Sequence, residues 1–252
     1  MVTYRYFLDK NDEIRSGKAT GVHINLKVLG VGDGLTVWCS DMSRWMIAND
    51  LGQDPISQYP GYIEYAKSNP YHPLVDDSVI SSAEDAWTKA GGCRDQVWLF
   101  PPQLVLHVFI YAQIIACNNG GSNSVCSGAQ GFCNNNILSP LAGNWDVYYV
   151  PTANPDPYPP PLDKYLNSQG VTSKIGSHAE WEESNSDVYK NFAATGDWMR
   201  TSLPDLEKVI NAGVRTVIYD GDADFILNFK GVEAMVRVHS PHIFAASRLL
   251  AP

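Results

Sequence analysis

The chain has 252 residues, 44% of them hydrophobic, which is enough for the core of one large domain or two small ones. Its formal net charge of −9 argues against binding to nucleic acid, because a surface that binds phosphates needs an excess of Lys and Arg. A negative surface instead favours solubility in a mildly acidic compartment.

The first predicted elements are a helix and a strand. Residues 4–14 are predicted to be the end of a helix, and residues 24–31, INLKVLGV, have the composition of a strand that leads into a loop at Asp33. Tyrosines three residues apart in residues 59–65 would line one face of a second helix. Such a stripe usually belongs to the core and only sometimes to a side-chain pocket.

Two segments of 17 residues have an unusual form in common. Residues 37–53 and 97–113 both begin with Val-Trp and end with Gln. Since Val codons start with GT and Gln can be CAG, each segment has the GT and AG ends of an intron. We interpret both as unspliced introns, and a transcript that keeps them in well-expressed protein would refute this hypothesis.

The second of these segments is strongly apolar but does not predict a membrane span. About 20 apolar residues are needed to cross a bilayer, and Pro101, Pro102 and His107 interrupt this one. We therefore expect no membrane partner.

Four cysteines lie close together in the sequence and indicate a disulfide framework, hence an oxidising compartment; they are Cys93, Cys117, Cys126 and Cys133. The fifth, Cys39, lies in the first insert and is left unpaired. Residues 1–15 contain no apolar run long enough for a signal peptide. We therefore expect that the natural protein starts further upstream.

The middle of the chain is predicted to be rich in loops. From residue 118 onward we expect a Gly-rich loop that contains Ser122, Ser124 and Ser127, followed by a short helix or turn at 134–141. Six prolines in residues 151–161 predict a stiff extended arm, with an SH3-type ligand as the functional alternative. After it, residues 204–212 predict an amphipathic helix that starts with Pro and stops at a Gly.

The most informative segment is residues 215–231, RTVIYDGDADFILNFKG. Residues 216–219 predict a short buried strand of a parallel sheet. Asp220, Asp222 and Asp224 follow it, and in open α/β sheets catalytic groups gather beyond the carboxyl ends of strands. The sequence therefore predicts a site at this strand end.

Several chemistries fit three alternating acids. A calcium loop does not, because Phe225 stands where that loop needs Gly and Gly231 where it needs Glu. Asp220 and Asp222 could hold Mg²⁺ in a metal-dependent phosphatase. Asp224 could be the acid of a hydrolase triad, which orients an imidazole and stabilises its cationic form. A solvated acidic turn is the remaining interpretation.

The same segment resembles the acid-residue motif of the serine carboxypeptidases, Y-x-G-D-x-D-x-x-x-N, in which the second Asp, here Asp224, is the triad member. Residues 191–199, NFAATGDWM, resemble the F-x-x-x-G-D-W-M segment of that family. Residues 21–36 together with 54–59 resemble its I-N-L-K-x-x-x-x-G-x-G-L-T-D-P segment. Two departures are Asp33, where the family usually has Asn, and residues 146–151, DVYYVP, where acid or Arg contacts made in relatives are expected to be absent.

The resemblance implies an α/β fold with a partial α/β-hydrolase sheet and a disulfide-containing insertion, or cap, region. The expected divisions are a partial core at 1–36 and 191–236, a cap region at 54–190, the inserts at 37–53 and 97–113, and a tail outside the family at 237–252. It also implies nested disulfides, with Cys93 paired to Cys133 and Cys117 paired to Cys126.

The implied activity is hydrolysis of C-terminal peptide bonds through an acyl-serine, without cofactor or metal, in a secreted or vacuolar/lysosomal protein whose partners are peptide or protein C-termini. No G-x-S-x-G pentapeptide occurs in the sequence, and neither His239 nor His242 lies in the family's G-x-x-H-x-x-P setting. We therefore expect a truncated, inactive chain that keeps only Asp224. It would fold poorly, because its sheet edges would lack partners. A non-catalytic peptide-binding remnant is the alternative.

Overall fold

A computed structural model describes residues 2–33, 57–89, 92–93, 122–154, 162–182, 184–200 and 203–238. Both inserts, the rest of the Pro-rich arm from residue 155 to 161, and the tail after residue 238 lie outside these ranges. The expectations for those segments therefore lie outside the described residues as well.

The described chain is mostly helical with a small parallel sheet, which agrees with the α/β class. The helices are α1 (Val2–Arg15), α2 (Gln58–Ser68), α3 (Asp77–Thr88), α4 (Asn123–Cys133), α5 (Ser139–Ala142), α6 (Asp163–Leu166), α7 (Gln169–Ile175), α8 (Ser186–Thr195), α9 (Leu203–Asn211) and α10 (Phe229–Val238). A π-helical segment, Asn134–Leu138, joins α4 to α5, and a 3-10 turn, Asp197–Met199, follows α8. The strands are β1 (Val28–Gly32) and β2 (Arg215–Tyr219).

The two strands pair in parallel, with Val28 opposite Arg215 and Gly32 opposite Tyr219. The prediction that the second strand is buried is wrong, since Val217 is 49% exposed. In the described part of the chain the sheet packs on one side only, where Leu206 of α9 contacts Leu29 of β1 and Ile218 of β2. A strand covered on one face buries every second side chain, which explains the alternating exposure of both strands.

Helix α1 packs against α9, which lies next to the covered face of the sheet. Arg5 pairs with Asp205 and Lys208 pairs with Asp9 across this contact. Both helices lie where the sequence predicts them. Among the described helices, none combines the length and apolar character that a bilayer span requires.

The main core lies among the helices that follow β1. Tyr59, Tyr62 and Tyr65 of α2 are all buried in it, so the core interpretation of the tyrosine stripe is confirmed. Their neighbours include Phe225, whose ring centroid lies 5.1 Å from that of Tyr62 and 5.9 Å from that of Tyr65. The main core therefore reaches the residue that directly follows Asp224.

The prediction of a flexible loop from residue 118 onward is wrong for residues 123–133, which form α4. Ser122 caps this helix, since its Oγ accepts a hydrogen bond from the backbone N–H of Val125 at 3.4 Å. Cys126, Ala129 and Cys133 recur at helical spacing and are fully buried. Burial of this face stabilises a helix that its Gly-rich sequence disfavours.

A disulfide joins Cys93 to Cys133, with 5.6 Å between their Cα atoms, and this is one of the two predicted pairs. Cys126 is also disulfide-bonded. Its predicted partner, Cys117, lies outside the described residues. The disulfide to Cys133 ties the end of α4 to the segment that follows α3.

Two glycines allow α2 and α10 to meet backbone to backbone. A Cβ atom on Gly61 would lie 2.7 Å from the backbone nitrogen of Gly231, and one on Gly231 would lie 2.9 Å from the Cα of Gln58. Beside this contact the buried Asn228 donates to the side chain of Gln58 at 2.9 Å. The helix that carries the tyrosines is therefore in direct contact with the helix that follows the acidic segment.

Candidate active site

Three aspartates lie on the loop that joins β2 to α10, which we call the acid loop (residues 220–228). Asp220 directly follows the carboxyl end of the strand, Asp222 is exposed, and Asp224 is 7% exposed. The structure therefore separates the three acids by environment, and Asp224 is not a solvated turn residue.

The carboxylate of Asp224 is held by the backbone of its own loop. Its Oδ1 accepts a hydrogen bond from the Leu227 N–H at 2.8 Å. The pKa of Asp224 is raised to about 6, mainly by burial and to a lesser extent by the negative charges of Asp33 and Asp146, against the opposing effect of the backbone hydrogen bonds from Leu227 and Ile226. The site thus holds a carboxyl group whose ionised form is disfavoured until a positive charge approaches.

Asp33 links the ends of both strands to the acid loop. Its backbone has a φ of 46°, in the left-handed region, and its N–H donates to the carbonyl of Tyr219 at 3.0 Å. Its Oδ1 accepts from the Gly221 N–H, also at 3.0 Å. The residue that departs from the family pattern therefore fixes the start of the acid loop.

A second loop, residues 145–150, supports the acid loop from another side, which we call the support loop. Its Val147 carbonyl accepts hydrogen bonds from the N–H groups of Phe225 and Ile226 at 2.9 and 3.0 Å, and its Val150 N–H donates to the carbonyl of Ala223 at 3.0 Å. These bonds involve the three residues around Asp224, so they fix the backbone from which its side chain projects.

Asp146 shapes the support loop and adds charge to the site. Its Oδ1 accepts from the N–H groups of Tyr148 and Tyr149 at 2.7 and 3.0 Å, which is the geometry of an Asx turn. Its negative charge contributes to the raised pKa of Asp224, and the expectation about contacts made in relatives stays a prediction. The sequence reasoning missed Asp146, although an Asp at the start of an irregular segment is a signal for such a turn.

Tyrosine hydroxyls hold the acid loop from the side of α2. Tyr62 Oη donates to the carbonyl of Ile226 at 2.9 Å, and Tyr65 Oη donates to that of Asp222 at 2.7 Å. Tyr71 Oη donates to Asp222 Oδ1 at 3.0 Å. Burial raises the pKa of Tyr65, so its hydroxyl is protonated and remains a donor at neutral pH.

The described residues do not favour the metal-dependent alternative. Within the described ranges, no group of three or more His, Cys, Asp or Glu side chains is placed to hold a metal ion. Asp222, one of the two ligands predicted for Mg²⁺, is instead bonded to Tyr71.

No histidine of the described segments is hydrogen-bonded to Asp224. His23 contacts Arg15, and His72 lies between the carbonyls of Pro73 and Val150. His239 and His242 lie outside the described residues. Among the described residues, the candidate site therefore consists of the buried Asp224 carboxyl and the backbone that holds it.

Comparison with known proteins gives a consistent result. The model of the serine carboxypeptidase family matches residues 6–244. Carboxypeptidase S1 of Penicillium janthinellum is 29% identical over 229 residues, which cover 90% of this chain and 46% of that protein. Carboxypeptidase Y of Schizosaccharomyces pombe is 28% identical over 223 residues, covering 84% of this chain and 18% of that protein. Carboxypeptidase Y homolog A of Ajellomyces capsulatus is 30% identical over 219 residues, which cover 84% of this chain and 33% of that protein.

The chain spans less than half the length of these relatives. The family match nevertheless includes both strands, the disulfide-bonded helix α4 and the whole acid loop. Because it extends over nearly all of the sequence, the chain belongs to the serine carboxypeptidase family.

Proposed function

We propose that Asp224 is the acid of a Ser-His-Asp triad, in a protein that removes residues from the C-termini of peptides through an acyl-serine. In such a triad the serine attacks the scissile carbonyl while the histidine takes its proton. The aspartate holds the imidazole in the required tautomer and stabilises the imidazolium that forms. In this proposal β1 and β2 are part of an α/β-hydrolase sheet.

The observation that carries the proposal is the state of Asp224 at the end of β2. Its carboxyl is almost fully buried, is fixed by the Leu227 N–H and has a pKa raised to about 6. A positive charge placed next to this carboxyl would reverse that shift, because an opposite charge favours the ionised form. The attraction between a carboxylate and a positive charge is stronger where water is excluded, so the site is suited to stabilising an imidazolium.

The 252 residues contain no G-x-S-x-G nucleophile motif and no histidine in a G-x-x-H-x-x-P setting. By itself, then, the chain supplies the orienting acid and neither the nucleophile nor the base, so it does not hydrolyse peptides. The buried disulfide between Cys93 and Cys133 supports a secreted or vacuolar location, since disulfides persist in oxidising compartments.

The proposal is tested in two steps. First, the purified chain and its Asp224→Asn variant are assayed on a blocked dipeptide between about pH 4 and 7. We expect no turnover from either protein, and turnover that depends on Asp224 would refute the proposed inactivity.

Second, the genomic DNA around the reading frame is searched for the two missing motifs, and the longer protein is expressed. Asp224→Asn should then lower kcat on the order of 10⁴-fold, whereas Asp222→Asn, a matched change two residues away, should leave kcat within a few fold. Equal effects of the two substitutions would contradict the role assigned to Asp224.

A further inference from the structure

We propose that Tyr62 and Tyr65 are positioning residues for the reaction, because their hydroxyls hold the acid loop on both sides of Asp224. This inference rests on the proposed role of Asp224 as the triad acid. Neither tyrosine touches the reacting atoms in this proposal, and both act through the backbone of the acid loop.

The two hydrogen bonds are placed symmetrically about Asp224. Tyr65 donates at 2.7 Å to the carbonyl of Asp222, two residues before it, and Tyr62 donates at 2.9 Å to the carbonyl of Ile226, two residues after it. The tyrosines are three residues apart on α2, so both project from one face of the helix. One rigid element therefore sets the distance between the two ends of the segment that carries the carboxyl.

The tyrosine rings alone would not fix this geometry. Both rings pack around Phe225 and fill the core, a role that phenylalanine could fill equally well. The hydroxyls fix the position of the acid loop relative to α2, because each one donates a directional hydrogen bond to a carbonyl of that loop. The carbonyls and the Asp224 side chain thus become parts of one hydrogen-bonded arrangement.

The support loop completes the arrangement from the other side. Val147 accepts from the N–H groups of Phe225 and Ile226, and Val150 donates to the carbonyl of Ala223. With these backbone bonds in place, the tyrosine hydroxyls bond the carbonyls at the two outer positions. Loss of either hydroxyl would leave a partly buried carbonyl without that partner and allow the acid loop to move toward water.

The experiment compares Tyr62→Phe, Tyr65→Phe and the double variant with the unmodified chain. The matched control is Tyr59→Phe, which removes a hydroxyl from the same helix that donates to Asn134 Oδ1 at 2.7 Å, not to the acid loop. Two quantities are measured by NMR: the pKa of the Asp224 carboxyl, from its carbon-13 shift, and the hydrogen exchange rate of the Leu227 amide.

We expect the double variant to lower the pKa of Asp224 toward its ordinary value, because water then reaches the carboxyl. Exchange of the Leu227 amide should rise roughly tenfold, as expected when a bond that holds its loop is lost. Tyr59→Phe should change neither quantity. Unchanged titration and exchange in the double variant, or equal changes in the control, would overturn the proposal; if the double variant does not fold, the two single variants are judged by the same criteria.

The test of the two tyrosines can fail or succeed independently of the test of Asp224 as the triad acid. The NMR measurements need no catalysis and use the chain as it is. If Asp224→Asn left hydrolysis by the longer protein unchanged, the triad role would fail even where the tyrosine variants shift the Asp224 titration. If the tyrosine variants had no effect on that titration, the positioning role alone would fail.

Discussion

Replacement of Asp224 by Asn should make the protein more stable at neutral pH. The substitution keeps an oxygen that can accept from the Leu227 N–H but removes the ionisable group. In the folded protein the pKa of Asp224 is raised from its ordinary 3.8 to about 6, so folding favours the protonated form. The contribution of this group to stability is therefore greatest below about pH 4 and is lost as the pH rises through 6.

The size of the effect follows from that shift. At about 1.4 kcal/mol per pH unit, the change from 3.8 to about 6 corresponds to at most about 3 kcal/mol. Partial solvation of the loop reduces this value. As the pH rises from 4 to 7, we therefore expect the unmodified chain to lose about 1–2 kcal/mol in free energy of unfolding relative to the Asp224→Asn variant.

The assay is urea unfolding followed by circular dichroism at pH 4, 5, 6 and 7. Asp222→Asn is the control, because it makes the same chemical change at an exposed residue of the same loop. Its stability should follow that of the unmodified chain across the pH range. Equal pH dependence in the Asp224→Asn variant and the unmodified chain would refute the assignment of a raised pKa to Asp224.

Three further changes have defined outcomes. Asp33→Asn keeps an acceptor but removes a negative charge, so the pKa of Asp224 should fall in an NMR titration, and an unchanged value would show that the two acids do not interact. Gly196→Ala should cost more than about 2 kcal/mol in urea unfolding, since Gly196 has a φ of 59° and a Cβ there would lie 2.3 Å from the backbone of Cys126; wild-type stability would contradict this packing. Cys93→Ser opens a disulfide with a sequence separation of 40 and should cost about 4 kcal/mol, whereas a melting temperature equal to that of the parent would mean that the bond does not form.

Features set by local sequence could be predicted. The helices at 4–14 and 204–212 carry their own periodicity and end signals, and both were found within a few residues of those bounds. The tyrosine stripe of α2 has helical spacing, and its burial follows from that spacing. The position of Asp224 beyond a strand end follows from a short β-type run that stops at a glycine-containing turn.

Features set by distant neighbours could not be predicted. Whether residues 216–219 are buried depends on what covers each face of the sheet, and α9 covers one face only. Helix α4 contains Gly128 and Gly131 and has weak helical propensity, so its formation depends on burial of its cysteines in the core. The bonds from Val147 to the acid loop join residues almost eighty positions apart, and no periodicity in the sequence reports such a contact.

The backbone contact between Gly61 and Gly231 limits which substitutions the two positions can accept during evolution. At both positions a single methyl group would collide with main-chain atoms, and main chain cannot yield as the far end of a flexible side chain can. Alanine at either position would force the two helices apart and move the tyrosines relative to the carboxyl that they help to orient. Selection on catalytic geometry should therefore conserve two residues that have no side chain and never approach a substrate.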